Sequence, residues 1–411
     1  MLHKWKTIPE GWQDVKISDI GEIITGTTPS TKNESFWGGE IPFVTPSDFK
    51  GRKYVTTTER TVTLEGAREG KVVPKDSIMV VCIASVDEVA IASTNCITNQ
   101  QINSIVCKSN VDPHYVYYAL LFRKDQLKTW AGITTTPIVK KSLFEKFSIL
   151  LPPPHEQRKF AEILGIVDEG IEKVEQEIEH TERLKKGLTQ RLLIRGIGHK
   201  EFKDSPIGKI PKDWEVVKLG KIAEVKYGLS QPPKLKDDGV PMIRATNIKN
   251  GKILKKEIFM VDPTDIPKDK FLHEGDIIVV RSGAYTGDVG LITTQWNGAV
   301  AGYDLVISLN TKSMEPDFLV NFMLSATVQT HFEALRTRAA QPHLNSSQLK
   351  SLHIPCPPLP EQKKIAKILT TVDRRLELLQ QKKERLQRIK RALMNDLLTG
   401  RRRVKIHRAE I

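Results

Sequence analysis

Thr45, Ser47, Asp48 and Lys50 follow the apolar run IPFV from Ile41, and Arg244, Thr246, Asn247 and Lys249 follow VPMI from Val240. Arginine, asparagine and aspartate side chains pair with the edges of guanine, adenine and cytosine respectively, whereas lysine, serine and threonine suit phosphate oxygens. At a turn the same residue types bond their own backbone, and the sequence admits both readings. Tyr227 and Gln231 lie in VKYGLSQPP, which aligns with the Thr-rich ITGTTPSTKN. A polar loop there suits entry into a groove, or is a plain surface loop. RSGAYTGDVG, residues 281–290, has three glycines and a tyrosine, fitting either close approach to a backbone or a tight β-turn. Gln341 aligns with Thr136 near the end of the same region in each half, on a side the sequence does not decide. His155, His343 and His353 stand in no catalytic pattern. The tail RRRVKIHR, residues 401–408, suits phosphates or a partner, or is simply a solvated end.

These segments come in pairs because the chain is duplicated. LPPPHEQRKFAEIL (151–164) matches CPPLPEQKKIAKIL (356–369) at eight of fourteen positions, where average composition gives roughly one. IPEGWQDVKISDI from Ile8 answers IPKDWEVVKLGKI from Ile210, and KDSIMVV from Lys75 answers EGDIIVV from Glu274. Each half opens with ~150 residues mixing β-rich runs (SIMVVCIAS, DIIVVRSG, YDLVISLN) with turn residues and some helix. An α+β domain is expected in each. The expected boundaries are 1–150 and 201–355 for the two globular domains, 151–200 for a first long helix and linker, and 356–411 for a second helix and basic tail.

The positioning elements are the helices. Apolar residues recur at three-and-four spacing along Leu164, Val167, Ile171, Val174, Ile178, Leu184, Leu188 and Leu192. They recur again along Leu369, Val372, Leu376, Leu379, Leu386, Ile389, Leu393 and Leu397. Val167, Ile171, Val174, Val372, Leu376 and Leu379 are the expected seam of an antiparallel intramolecular pair. The prolines at 152–154 and 357, 358 and 360 mark the helix starts, and Gly196 and Gly400 the ends. About 40 residues span ~60 Å, long enough to act as a ruler in a pseudo-two-fold object.

The chain has 411 residues, 39% hydrophobic and 27% charged, with net charge +14 and pI near 9.4. This balance favours an acidic partner, commonly nucleic acid. No run suggests a membrane span, and the opening residues lack a signal-peptide core. Four cysteines without metal-like spacing read as reduced thiols in a cytoplasmic protein. No phosphate loop, dinucleotide fingerprint, zinc helix or nucleophile elbow is present. A free-standing DNA-binding regulator or a scaffold would share the basic, bipartite character, though a regulator normally carries a compact helix-turn-helix and an effector domain.

Over its whole length the sequence resembles the specificity subunits of Type I restriction–modification systems. The resemblance is carried by the paired IPEGW and IPKDW openings, the strand motifs leading into TPSDFKG and RATNIKNG, and the PPP-x-EQ and PPLPEQ helix entries. It implies two target recognition domains, each reading one half of a bipartite DNA sequence. It also implies helices that set the spacing and dock two methyltransferase (modification) subunits, with motor-nuclease (restriction) subunits joining them. S-adenosylmethionine, ATP and Mg²⁺ would then belong to those partners, with no cofactor, metal or catalytic residue in this chain. One departure is the absence of a basic residue in the first copy, where Thr45 stands opposite Arg244. Freed of partners, the chain is expected to transfer no methyl group to DNA and to cut none. Methyl transfer from labelled S-adenosylmethionine by a clean preparation is the contrary outcome.

Overall fold

Each half is closed by pairing its opening strand with its closing one. Gln13–Lys16 runs antiparallel to Ser148–Leu151, and Glu215–Lys218 antiparallel to His353–Cys356. The computed structural model describes residues 7–84, 86, 88–131, 137–230, 233–264, 266–337 and 343–404. It divides into a first unit, residues 1–175 with 381–411, and a second, residues 176–380. The sequence-derived fold class holds: each unit is α+β, with a globular domain and parts of two long helices.

In the first unit a five-stranded sheet orders Gly21–Thr25, Ile102–Cys107, Ile78–Val81, Val89–Ala92 and Tyr54–Val55. A four-stranded sheet beside it centres on Trp37–Val44 and Cys96–Thr98. The second unit repeats the plan with Ala223–Tyr227, Leu305–Leu309, Ile277–Val279 and Val289–Leu291, and with a second sheet around Leu235–Ile243. The β-rich runs are buried on both faces, as their continuous Ile and Val content requires; Ile78–Val81 and Ile277–Val279 have no exposed residue. Helices Pro113–Phe122 and Pro316–Met323 cover corresponding places, each opened by a proline in its first turn.

The long helices span Pro154–Arg195 and Leu359–Leu398. Gly196 and Gly400 end them with φ of +64° and +68°, the left-handed cap that glycine supplies most cheaply. The helix-entry motif works through its glutamine. Gln157, 1% exposed, accepts from the Asp112 N–H (2.8 Å) and donates to the Pro152 carbonyl (2.7 Å). Gln362, fully buried, accepts from the Glu315 N–H and donates to the Pro357 and Ser313 carbonyls, each at 2.8 Å. Each glutamine therefore fastens the start of a long helix to the start of the short helix that covers its domain.

The partner glutamate is used differently in the two units. Glu361 accepts from the Ile197 N–H (2.8 Å) and from Trp214 Nε1 (3.0 Å), and lies 2.9 Å from His199 Nε2. Glu156, 4% exposed, is instead paired with the Arg403 guanidinium, which also lies 5.9 Å from the Trp12 ring. Trp12 and Trp214 are the tryptophans of the paired openings, and both are buried.

Within each unit the two long helices run antiparallel. Asp168 meets Lys390 (2.6 Å) and Glu175 meets Lys383 (2.8 Å) in the first unit, while Lys185 meets Asp373 (2.5 Å) in the second. The Asp–Lys pair thus recurs 205 residues on with its roles exchanged between helices. Asp168 also accepts from the Tyr118 hydroxyl at 2.7 Å, tying the pair to the domain. Of the expected seam, Val174 and Leu379 are buried and Val167, Ile171, Val372 and Leu376 half-buried. The apolar rhythm misleads at Leu184 and Ile389, which face solvent. Thr181 is buried near Leu184's turn, its hydroxyl satisfied by the Glu177 carbonyl at 2.7 Å.

Gln362→Leu strands a buried N–H and two carbonyls, and is expected to destabilise the second unit by about 2–4 kcal/mol. A lower denaturant midpoint at unchanged slope is the expected readout.

Candidate nucleic-acid interface

The strand that ends at Val44 or Ile243 passes directly into a one-turn 3-10 helix, Pro46–Asp48 or Ala245–Asn247. Asp48 closes the first turn, accepting from the Thr45 N–H (2.8 Å), the Thr45 hydroxyl (2.7 Å) and the Glu59 N–H (3.0 Å). Asn247 closes the second, accepting from the Arg244 N–H (3.0 Å) and donating to the Lys256 carbonyl (2.6 Å). Both are buried, at 6% and 0% exposure. Their expected role on base edges is therefore corrected: these polar atoms are turned inward and hold the turn.

The remaining members stay at the surface. Ser47, Lys50, Thr246 and Lys249 are exposed, and Thr45 shares a 2.9 Å hydrogen bond with Ser47. Lys50 adopts φ +49°, whereas Lys249 is a strand residue paired with Lys252. Arg244 is half-buried. Its guanidinium lies 3.6 Å from the Phe259 ring centroid and donates to the Glu257 carbonyl at 2.7 Å. The first domain lacks an arginine at position 45 but builds a similar stack from the neighbouring strand, with Arg60 lying 3.5 Å from the Trp37 ring centroid.

In the second domain, segments far apart in sequence converge on a cleft of about 270 Å³ lined by Ser230, Arg244, Ser282, Tyr303 and Asp304, among others. Tyr227 is nearby and exposed, its hydroxyl accepting from the Ser346 N–H at 3.3 Å. The Arg281 guanidinium lies close to both the Tyr227 and the Tyr303 rings. Burial raises the Asp304 carboxyl above the usual carboxylate range, against the pull of the Arg281 N–H it accepts and of the guanidinium charge. The RSGAYTGDVG segment is a glycine-framed turn, with Gly283 and Gly287 at positive φ and Tyr285 exposed between them.

Tyr303 and Asp304 were missed in the sequence, because YDLVISLN reads as a strand and masks the polar residues at its start, and Arg281 entered only as the first residue of the RSGAYTGDVG segment. Among the sequence-derived candidates, Gln231, Gln341 and Thr136 lie outside the described residues, as does the tail from residue 405. Of the described tail, Arg403 is spent on Glu156, and Arg401 and Arg402 face Asp396.

Among the described residues no cluster of His, Cys, Asp and Glu could hold a metal ion. The four cysteines are free, and burial pushes Cys82 and Cys356 to about 11 and Cys96 and Cys107 to about 12. Negligible thiolate is present near neutral pH, so none is poised as a nucleophile. No described helix is long and apolar enough to cross a membrane.

Residues 9–183 and 211–388 both match the family described as Type I restriction modification DNA specificity domain. The chain belongs to this family. It is 28% identical over 410 residues to the Type I restriction enzyme MjaVIII specificity subunit of Methanocaldococcus jannaschii, covering 97% of this chain and 94% of that one. The MjaIX specificity subunit of the same organism is 29% identical, at 97% and 95% coverage. In fold the chain is similar to a Type I restriction–modification S subunit from M. genitalium, with TM-score 0.64 at 15% identity, covering 96% and 97% of the two chains. As a specificity subunit it is the non-catalytic component of its system.

The turn geometry separates stability from recognition. Asp48→Asn directs an N–H at a backbone donor and is expected to cost about 1–3 kcal/mol. Ser47→Ala and Thr246→Ala, on exposed atoms, are expected to stay within about 0.5 kcal/mol of wild type. Thermal melts of the three variants make the comparison.

Proposed function

We propose that this specificity subunit binds double-stranded DNA with one recognition domain on each half of a bipartite target. The long helices hold the gap between the halves and seat two modification subunits, and restriction subunits join that core. The observation carrying this reading is the duplication itself: the specificity-domain match occurs twice, and each copy ends in a helix entered through the same buried Gln lock. The net charge of +14 favours a polyanion. S-adenosylmethionine, ATP and Mg²⁺ belong to the partner subunits, and the complex works in the cytoplasm where its DNA lies.

On the DNA side we assign Arg244 and Tyr227 to base reading, and Lys50, Lys249, Ser47, Thr45 and Thr246 to phosphate contacts that fix register. Gln231, four residues after Tyr227 in the sequence, is assigned to base reading with it. On the partner side we assign Leu184 and Ile389. They stand 205 residues apart, the offset of the duplication, and are 49% and 48% exposed although they continue an apolar rhythm. An apolar side chain at matching places in both copies suits two identical partners.

Exchanging residues 1–150 for the first domain of another specificity subunit is expected to change one half of the methylated target and leave the other intact. Leu184→Glu or Ile389→Glu alone is expected to reduce the complex from two modification subunits to one, and the double variant to none, read by mass of the purified assembly. A target that changes in both halves, or a double variant that still carries two modification subunits, contradicts the assignment.

A further inference from the structure

The two recognition domains place different chemistry at matching positions of one scaffold. Strand register sets the correspondence, since Thr25 pairs with Asn103 as Tyr227 pairs with Leu305. The Cys82 carbonyl accepts from the Val139 N–H as the Arg281 carbonyl does from the Leu344 N–H, each at 2.8 Å. Thr25, Cys82 and Gln101 of the first domain therefore correspond to Tyr227, Arg281 and Tyr303 of the second.

In the second domain the Arg281 guanidinium lies 5.0 Å from the Tyr227 ring centroid and 4.8 Å from that of Tyr303, which is 59% exposed. Its Nε is buried with no hydrogen-bond partner among the described residues. Aromatic faces steady a guanidinium without using its N–H groups. What remains is a fork of donors, the complement of guanine O6 and N7.

The first domain puts no guanidinium there. Cys82 is buried, and the adjoining segment is Asn99, Gln100 and Gln101. Asn99 Nδ2 donates to Gln101 Oε1 at 2.9 Å, and its own oxygen accepts from the Gln101 N–H at 3.1 Å. Exposed Gln100 accepts from the Thr28 hydroxyl at 2.7 Å. A carboxamide held in this way keeps a second lone pair and its N–H donors, which is the pairing that adenine N6 and N7 require.

We propose that the first domain reads an A·T pair through the carboxamides of residues 99–101, and that the second reads a G·C pair through Arg281, held against the rings of Tyr227 and Tyr303. This rests on the DNA-reading function proposed above and adds the class of base to each half.

The test uses the full complex with its modification subunits on a randomised duplex library, with the target read from the methylated molecules. Exchange of residues 1–150 assigns each half to its domain. The expected target has a specified guanine in the second domain's half and a specified adenine, read through its major-groove edge, in the first. Replacing that guanine by 7-deazaguanine, which lacks the N7 acceptor, is expected to weaken binding of the unaltered complex about ten- to a hundred-fold; 7-deazaadenine should act likewise in the other half. Arg281→Gln is expected to lose the guanine preference in its own half only, and Gln100→Ala with Gln101→Ala the adenine preference in the other. A target with no specified guanine in the second half, or deaza substitutions without effect on binding, overturns the base assignment while DNA reading stands. The analogue experiment needs no variant to fold. A complex that methylates no preferred sequence overturns DNA reading itself.

Discussion

A glutamine side chain shut away from water joins each recognition domain to the helix that follows it. Gln157 and Gln362 each accept from the N–H of a residue that leads into a short covering helix, and each donates to the carbonyl of a proline before its own helix. Prolines can start a helix but cannot supply N–H donors, so the carbonyls and turns around them need a side chain to complete their bonding. With those bonds made, the first residues of each long helix enter the domain core. Phe160 and Leu164 pack with Trp12 and Tyr115 in the first unit, and Ile365 and Leu369 with Trp214 and Phe318 in the second. Helix direction, and through it the Asp–Lys pairs further along, follows from this junction.

The neighbouring glutamate departs from the duplication. Glu361 is satisfied by neutral donors and His199 from the segment after the first helix, and Glu156 by Arg403 from the segment after the second. In both units the stretch following a long helix returns to cover a tryptophan and a carboxylate, but with different residues. A buried carboxylate without a partner is costly. The two segments therefore act as alternative solutions to one electrostatic requirement.

The turns after the central strands show how structure and recognition divide a polar motif between them. Asp48 and Asn247 spend their oxygens on the turn, which fixes the backbone from which Ser47, Thr246 and the stacked Arg244 project. Stacking recurs where a guanidinium must be oriented: Arg244 on Phe259, Arg60 on Trp37 and Arg281 against two tyrosines. A planar cation so held is preorganised, which lowers the ordering cost of binding.

The sequence by itself determined the duplication, the α+β character of each half and the helix starts and ends. These depend on local signals: repeated motifs, prolines that cannot sit inside a helix, and glycines that accept positive φ. It also placed Asp48, Asn247 and Arg244 just after an apolar strand-like run, but not whether their side chains close a turn or face outward, because capping and base reading use the same atoms. Leu184 and Ile389 fit the apolar spacing as well as Val174 and Leu379 do. Only packing against a partner helix decides which lie inward, since helix periodicity gives an angle and not a neighbour. Arg281 and Tyr303 are 22 residues apart in sequence and Tyr227 lies 54 residues before Arg281. Their meeting was decided by strand order in the tertiary structure, which brings Ala223–Tyr227 beside Leu305–Leu309 and that strand beside Ile277–Val279.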